Sequence, residues 1–504
     1  MLIGYGFLQS KYGDKVLPLQ RPARTSLVPS ITRGESGELL VPKKMSIPDS
    51  DVLGHVLFAL KHEGTNLQVL SEVLPKMEPK ALLAELKRSP GSAYLRKACF
   101  LWEQFTGKTL DLQFAVGGNY TDVFDETKYV TGPPVKHPKW RVNYNGLGGL
   151  NYCPVVRKTP KVVSGIKSDF IEQTNRYLAS VDVVAVERAL SWAYLSETES
   201  SFDIEREAAD ETKAQRFVRI LHEAHRREPL TEDYLVNLQN EAVIAVRDRE
   251  CVFRKDQNWL QARGLRGPGA VTYVPPAPAL CHDLMSHLME FANQAPQSDL
   301  DPIVRASIAS FGFVYLHPFM DGNGRLSRFL FHHSLCLSGR LKRGHLLPVS
   351  AAMKEHESQY LQVLKEFSAP SRDLWQVMGS VEDSFDFEFQ GSSAVYRYWD
   401  ATSCVEFGFE MARQALDVQL RKQVQYLESF DEIYRVVNDT YDVRQPVLNA
   451  LISSAMDSRG VVSQNKRKRF RDEVPDEAFD LIEAATKRQL REFSTIGKAK
   501  GLSS

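Results

Sequence analysis

The sequence predicts a mainly α protein, and three observations carry that expectation. Apolar residues recur at helical spacing through most of the chain, as in Val52, Leu53, Val56, Leu57 and Leu60, or Leu326, Phe329, Leu330 and Leu337. Helix starts are marked by capping side chains: Asp301 precedes Pro302, and Thr231 precedes Glu232-Asp233. The β-leaning pieces are short and bounded by glycine and proline turns. The run Ile303 to Leu316 and the helix from Leu326 towards Ser338-Gly339 are apolar nearly all round, so both are expected to be buried centrally, with Gly339 as a stop.

At 504 residues the chain has room for two to four domains with ample core. Apolar residues make up 43% and charged residues 25%, ordinary values for a globular protein. Lysine plus arginine and aspartate plus glutamate stand at 63 each, so no global field marks a nucleic-acid or membrane binder. The six cysteines, Cys99, Cys153, Cys251, Cys281, Cys336 and Cys404, show no zinc or redox spacing and fit a reducing compartment. Met1 to Gln20 lacks a basic start followed by an apolar run, and no segment reaches the ~18 apolar residues of a membrane span. A cytoplasmic protein with no membrane partner is expected.

In chain order, residues 1–48 are rich in proline, serine and basic residues and read as an extended arm. Residues 49–107 read as a helical amino-terminal domain. Residues 108–180 read as an irregular connector, with turns at Gly117-Gly118-Asn119, Gly132-Pro133-Pro134 and Asn145-Gly146. A core is expected over 181–370, in which Pro348-Val349-Ser350 caps a helix carrying Met353, Tyr360 and Leu364. Residues 371–504 read as a helical carboxy-terminal domain. Long helices are expected over 373–430, with Leu374, Val377 and Val381 near their start. Within 431–493, two helices, a turn and the basic, β-leaning run Asn465 to Arg471 predict a winged-helix-like unit, which leaves nucleic acid as a less favoured partner.

Residues 317–328, His-Pro-Phe-Met-Asp-Gly-Asn-Gly-Arg-Leu-Ser-Arg, join the two apolar helices through a polar loop. Gly322 and Gly324 permit tight backbone paths and close approach of a ligand. The N-terminus of the following helix favours an anion. Arg325 and Arg328, three apart, share a helix face and can grip successive phosphates with forked donors. Asp321 is a lone carboxylate beside them, which suits Mg²⁺ shared with phosphate oxygens. His317 stands where a general base can take a proton from a hydroxyl. A nucleoside triphosphate with a metal fits this set.

The stretch resembles the Fic family signature, His-x-Phe-x-Asp/Glu-Gly-Asn-Gly-Arg-x-x-Arg, at every specified position. The resemblance implies a Fic-type helical core and an adenylyltransferase that moves AMP from ATP to a Ser, Thr or Tyr hydroxyl of a target protein, self-modification included. It implies His317 as base, Phe319 as loop anchor and Asp321 as Mg²⁺ ligand. Gly322, Asn323 and Gly324 become the anion hole, Arg325 and Arg328 the holders of the β- and γ-phosphates, and Tyr360 a wall of the adenine pocket. Gly264 to Pro276 reads as a hairpin, and the resemblance makes it a flap that aligns the target by strand pairing.

Upstream, Ser200-Ser201-Phe202-Asp203-Ile204-Glu205 resembles the inhibitory motif of the same family, Ser/Thr-x-x-x-Glu-Gly/Asn. Ser201 and Glu205, four apart, share a helical face. Arg206 departs from the Gly or Asn of the motif and is expected to compete for Glu205. Relatives that remove AMP or transfer another phosphate-containing group share the signature. A rival from another class is a regulatory DNA-binding protein whose loop senses nucleotide.

Overall fold

Side by side at the centre of one contact-defined unit lie the helices Pro302–Leu316 and Asn323–Leu337, here the leading and trailing helices. The computed structural model describes the chain except residues 14, 36, 208–210, 244–248, 263, 295–298, 380–384 and 500–504, and except the side chains at 212 and 492–499. That first unit comprises Met1–Gln173, Glu197–His345 and Val349–Ala412. Asp301 caps the leading helix by accepting from the Ile303 and Val304 amides at 2.8 and 3.4 Å, with Pro302 at the first position. Nearly every residue of both helices is buried, so their apolar sequence reflects a position with protein on all sides. The trailing helix stops before Gly339, whose φ of 75° lies in the left-handed region that favours glycine.

Around this pair stand Thr231-capped Glu232–Ala242, Pro278–Asn293, and the consecutive helices Val349–Glu355 and Glu357–Arg372. The last two replace the single helix expected after Pro348, the break falling at His356. Residues 1–48 carry the helix Tyr5–Tyr12 and a sheet in which Leu39–Pro42 lies between a parallel Arg24–Ser26 and an antiparallel Thr32–Arg33. Helices Val52–Phe58, Leu67–Val73, Pro79–Arg88 and Ala93–Thr106 follow. Residues 108–180 form a small three-stranded sheet, one further strand pair and the helices Pro160–Ser168 and Phe170–Ala179.

The expected flap is an antiparallel pair, Leu260–Gln261 with Val271–Tyr273. The long helix expected from Leu374 is not there. Trp375–Gly379 and Phe385–Phe389 instead pair as a hairpin in register from Trp375↔Phe389 to Gly379↔Phe385. Phe385-Asp386-Phe387-Glu388-Phe389 alternates apolar and polar with period two, which is a strand pattern. Val381 lies outside the described residues. Trp375 and Val271 anchor a small apolar cluster joining this hairpin to the flap.

The second unit comprises Thr174–Ser196, Leu346–Pro348 and Arg413–Ser504. Its core is Ile433, Val437, Leu448, Leu451, Ile452, Phe479 and Ile482, drawn from helices Arg421–Asn438, Gln445–Asp457 and Asp476–Ala499. The basic run expected to lean to strand is helical, Gln464–Phe470, capped by Ser463 through the Lys466 amide at 3.4 Å. Arg467 there bonds Glu483 at 2.8 Å and Asp480 at 3.2 Å. No strand occurs among the described residues of 431–493, so the winged-helix expectation lacks its wing. No described helix is long and apolar enough to cross a membrane.

Candidate active site

The loop between the leading and trailing helices is closed by two left-handed residues. His317, at φ 50°, ends the first helix, and Gly322, at φ 85°, begins the second. A left-handed backbone costs a non-glycine residue about 1 kcal/mol or more, so His317 is held there by its surroundings. Its carbonyl accepts from Arg254 Nε at 2.9 Å and Asn258 Nδ2 at 3.3 Å. Arg254 also donates its amide to the Pro318 carbonyl at 2.8 Å, and Asn258 donates to the Phe319 carbonyl at 2.8 Å. Asn323 closes the loop from within: it accepts from the Phe319 amide at 3.0 Å and donates to the Phe319 carbonyl at 2.7 Å. The Phe319 ring is fully buried beside Phe253 and Phe313.

The His317 ring is fixed as well. Its Nδ1 lies 3.1 Å from the Val314 carbonyl oxygen. A carbonyl only accepts, so Nδ1 carries the proton and Nε2 of the neutral ring carries the lone pair. Burial pushes the imidazole pKa down to about 4, partly opposed by the Val314 hydrogen bond and reinforced by Arg254. The neutral, proton-accepting form therefore prevails at pH 7.

Helical hydrogen bonding in the trailing helix begins with the Leu326 amide and the Gly322 carbonyl at 3.0 Å. The amides of Asn323, Gly324 and Arg325 thus stand before the ladder, at the positive end of the helix. A carboxylate lies close to Gly324 at this end of the helix. Glu205 Oε1 lies 2.8 Å from Arg328 Nη2, and a Cβ added at Gly324 would meet that same oxygen at 2.0 Å. A side chain at Gly324 would displace the Glu205 carboxylate, so glycine here lets an anionic group pass close to the backbone. Arg328 is 1% exposed and also donates to the Ser201 hydroxyl at 2.7 Å and the Ser201 carbonyl at 2.9 Å. Arg325, 4% exposed, pairs with Glu207 at 3.1 Å and with Asp321 at 3.6 Å, over the face of Phe202. Arg328 Nη1 and Arg325 Nε are buried without an acceptor among the described residues, so neither guanidinium is saturated by its present partners.

Asp321 is half exposed, and one of its oxygens accepts from the Gly322 amide at 2.7 Å. A single accessible carboxylate beside an anion site fits Mg²⁺, which keeps much of its shell as water and phosphate oxygens. Tyr360 is buried, its ring packed against Phe311 and Phe407. Burial raises its pKa, opposed chiefly by the nearby charge of Arg328. The structure thus gathers His317, Asp321, Gly322, Asn323, Gly324, Arg325, Arg328, Ser201 and Glu205 in one place, with the Tyr360 side chain beside Arg328.

Ser201 lies in the last turn of the helix Val183–Ile204, and Glu205 directly follows it. Arg206 does not compete for Glu205 as expected. Its side chain is exposed, and its backbone takes φ 58°, with the Arg206 amide on the Asp203 carbonyl at 3.0 Å and the Glu207 amide on the Phe202 carbonyl at 3.1 Å. This is a left-handed helix end, where glycine or asparagine is favoured, so the departure at Arg206 bears on backbone conformation.

Sequence reasoning missed the anchor beneath this contact. Glu197 bonds His332 at 2.6 Å and accepts from the Ser350 amide at 2.7 Å and the Ser350 hydroxyl, all three fully buried. Glu197, Ser201 and Glu205 are spaced by four, as are Arg328 and His332, so a polar seam fastens the two helices. That spacing was the available signal; Arg254, Asn258 and Glu207 gave none. Glu197→Ala would leave the His332 and Ser350 donors buried and unpaired, a cost of roughly 2–4 kcal/mol. Urea unfolding is expected to show that loss, and a stability within about 0.5 kcal/mol of wild type, the range of an ordinary surface substitution, would contradict it.

Part of the chain is similar to known proteins. Residues 229–335 match the family model of the Fic/DOC family. Over 93 residues, 18% of this chain, the sequence is 34% identical to the Protein adenylyltransferase Fic of Drosophila grimshawi, covering 18% of that protein. It is 33% identical over 93 residues to the protein of that name from Drosophila melanogaster, again covering 18% of it. The matched stretch thus spans under a fifth of these relatives. Among solved structures, a Fic family protein from Desulfovibrio desulfuricans G20 aligns at 22% identity and a TM-score of 0.37, over 64% of this chain and 89% of that one. A Fic domain containing signaling protein from Bacteroides thetaiotaomicron VPI-5482 aligns at 16% identity and a TM-score of 0.38, over 52% and 96%.

Proposed function

We propose, from the match of residues 229–335 to the Fic/DOC family model, that the chain is a protein adenylyltransferase that moves AMP from Mg-ATP to a hydroxyl of a protein and is restrained by its own Glu205. The observation that carries the proposal is the Glu205 carboxylate over Gly324, 2.8 Å from Arg328, at the start of the trailing helix. A site that draws in an internal carboxylate is built for an anion, and a polyphosphate offers more charge to the same donors.

In the proposed reaction the target hydroxyl oxygen forms a bond to the α-phosphorus as the bond from that phosphorus to the bridging oxygen breaks. Pyrophosphate leaves with the bond electrons, and the hydroxyl proton passes to His317 Nε2. The amides of Asn323, Gly324 and Arg325 and the guanidinium of Arg328 hold the phosphate oxygens and stabilise charge that grows on them. Asp321 would hold Mg²⁺, which when bound neutralises phosphate charge. The flap Leu260–Gln261 and Val271–Tyr273 offers the target a strand edge.

The test is mass spectrometry of the full chain carrying Glu205→Gly, incubated with Mg-ATP. A protein gaining the mass of one AMP, with pyrophosphate released in equal amount, is expected. Hydrolysis of ATP with no protein modified would overturn the proposal.

Asp321→Ala isolates the metal step. Nucleotide binding in the variant is expected to lose its dependence on Mg²⁺, with unfolding unchanged because the side chain is half exposed. Equal Mg²⁺ dependence in variant and wild type would assign the metal to another carboxylate.

A further inference from the structure

We infer that the inhibitory segment closes the site with two carboxylates, and that Glu207 is the second, withholding Arg325 from nucleotide while Glu205 withholds Arg328. The inference rests on the adenylyltransferase reading and extends its control. Arg325 Nη1 lies 3.1 Å from Glu207 Oε2 and 3.4 Å from the Ala242 carbonyl, and its Nη2 lies 3.6 Å from Asp321. The Phe202 ring, from the same segment as Glu207, covers one face of the guanidinium, its centroid 5.3 Å away. One segment of chain thus supplies both an ion partner and an aromatic face to Arg325, besides holding Arg328 through Ser201 and Glu205.

The backbone explains how two carboxylates so close in sequence reach neighbouring arginines. In a continuing helix, residues two apart point about 200° away from each other. Glu207 would then face away from the site that Glu205 enters. The left-handed turn at Arg206, φ 58°, ends the helix and brings Glu207 back beside it. Arg325 and Arg328 are themselves three apart on the trailing helix and share a face. Each carboxylate therefore meets its own arginine, and release of Glu205 alone leaves Arg325 engaged.

Titration of Mg-ATP by calorimetry into the full chain separates the two contacts. Glu207→Gln keeps the size of the side chain and removes its charge. In the Glu205→Gly background it is expected to tighten Mg-ATP binding by about three- to tenfold, the range for a charge-assisted contact that is partly solvated. In wild type it is expected to tighten binding by less, with transfer still low because Arg328 stays held. In an Arg325→Ala chain it is expected to change nothing. Glu199→Gln, on the exposed face of the same helix, sets the size of a general charge effect. A gain from Glu207→Gln no larger than that of Glu199→Gln in both backgrounds overturns the inference, as does an equal gain in Arg325→Ala. If Glu205→Gly by itself fails to improve binding, the Glu205 reading fails. The Glu207 effect is still read in wild type, so the two failures remain distinct.

Discussion

His317→Ala is expected to lower the rate of AMP transfer by at least about 10²–10⁴-fold, the contribution of a positioned general base, while Mg-ATP binding stays close to wild type. The ring makes no contact that holds phosphate: its Nδ1 is committed to the Val314 carbonyl, and the loop is braced by the backbone of residue 317 through Arg254 and Asn258. Removal of the side chain thus takes away a proton acceptor and leaves the anion site standing. Single-turnover transfer measured beside equilibrium ATP binding separates the two. Near-normal transfer would refute the base assignment, and lost ATP binding would make the residue structural. The same imidazole fixes the acid limb of the pH profile. With its pKa pushed down to about 4, the base is competent above that value and is lost as pH falls through it. A limb near 6.5 would mean a solvated ring.

The second large effect concerns restraint. Glu205→Gly frees a guanidinium that is 1% exposed from a carboxylate that is 35% exposed. A charge-assisted bond contributes about 1.5–3 kcal/mol, and the partial exposure of Glu205 favours the lower end, roughly ten- to thirtyfold in productive ATP binding. Labelling of a target or of the chain itself is expected to rise accordingly. Arg328→Ala is expected to abolish transfer in either background, because one arginine serves both carboxylate and phosphate. Labelling by Glu205→Gly no faster than wild type, with the fold intact, would remove Glu205 from control.

Much of the centre is legible in the sequence. The Asp301-Pro302 start, the two apolar helices and the loop 317–328 announce themselves through local chemistry, because capping, glycine conformations and charge spacing act over a few residues. The hairpin from Trp375 to Phe389 is also written in the alternation of its second strand, whereas Leu374, Val377 and Val381 fit helical spacing as well. Asn323 shows a different limit. Its type fits an anion hole, yet its side chain is committed to the Phe319 backbone four residues back, an orientation that residue type alone does not fix. Arg254 and Asn258 brace the loop from some sixty residues away, and Glu197 meets His332 from 135 residues away. Such contacts are fixed by packing. Arg206 was visible as an oddity, but its meaning lay in a backbone angle.

The proposed reaction moves the α-phosphoryl group with its nucleoside to protein. The direct measurement uses the full chain carrying Glu205→Gly with Mg-ATP labelled at either the α- or the γ-phosphate, followed by denaturing separation of protein from nucleotide. The α-label is expected to remain bound to protein, the γ-label to be released as pyrophosphate, and neither to be retained when His317→Ala is added. Retention of the γ-label without the α-label, or no retention above the His317→Ala control, would contradict it.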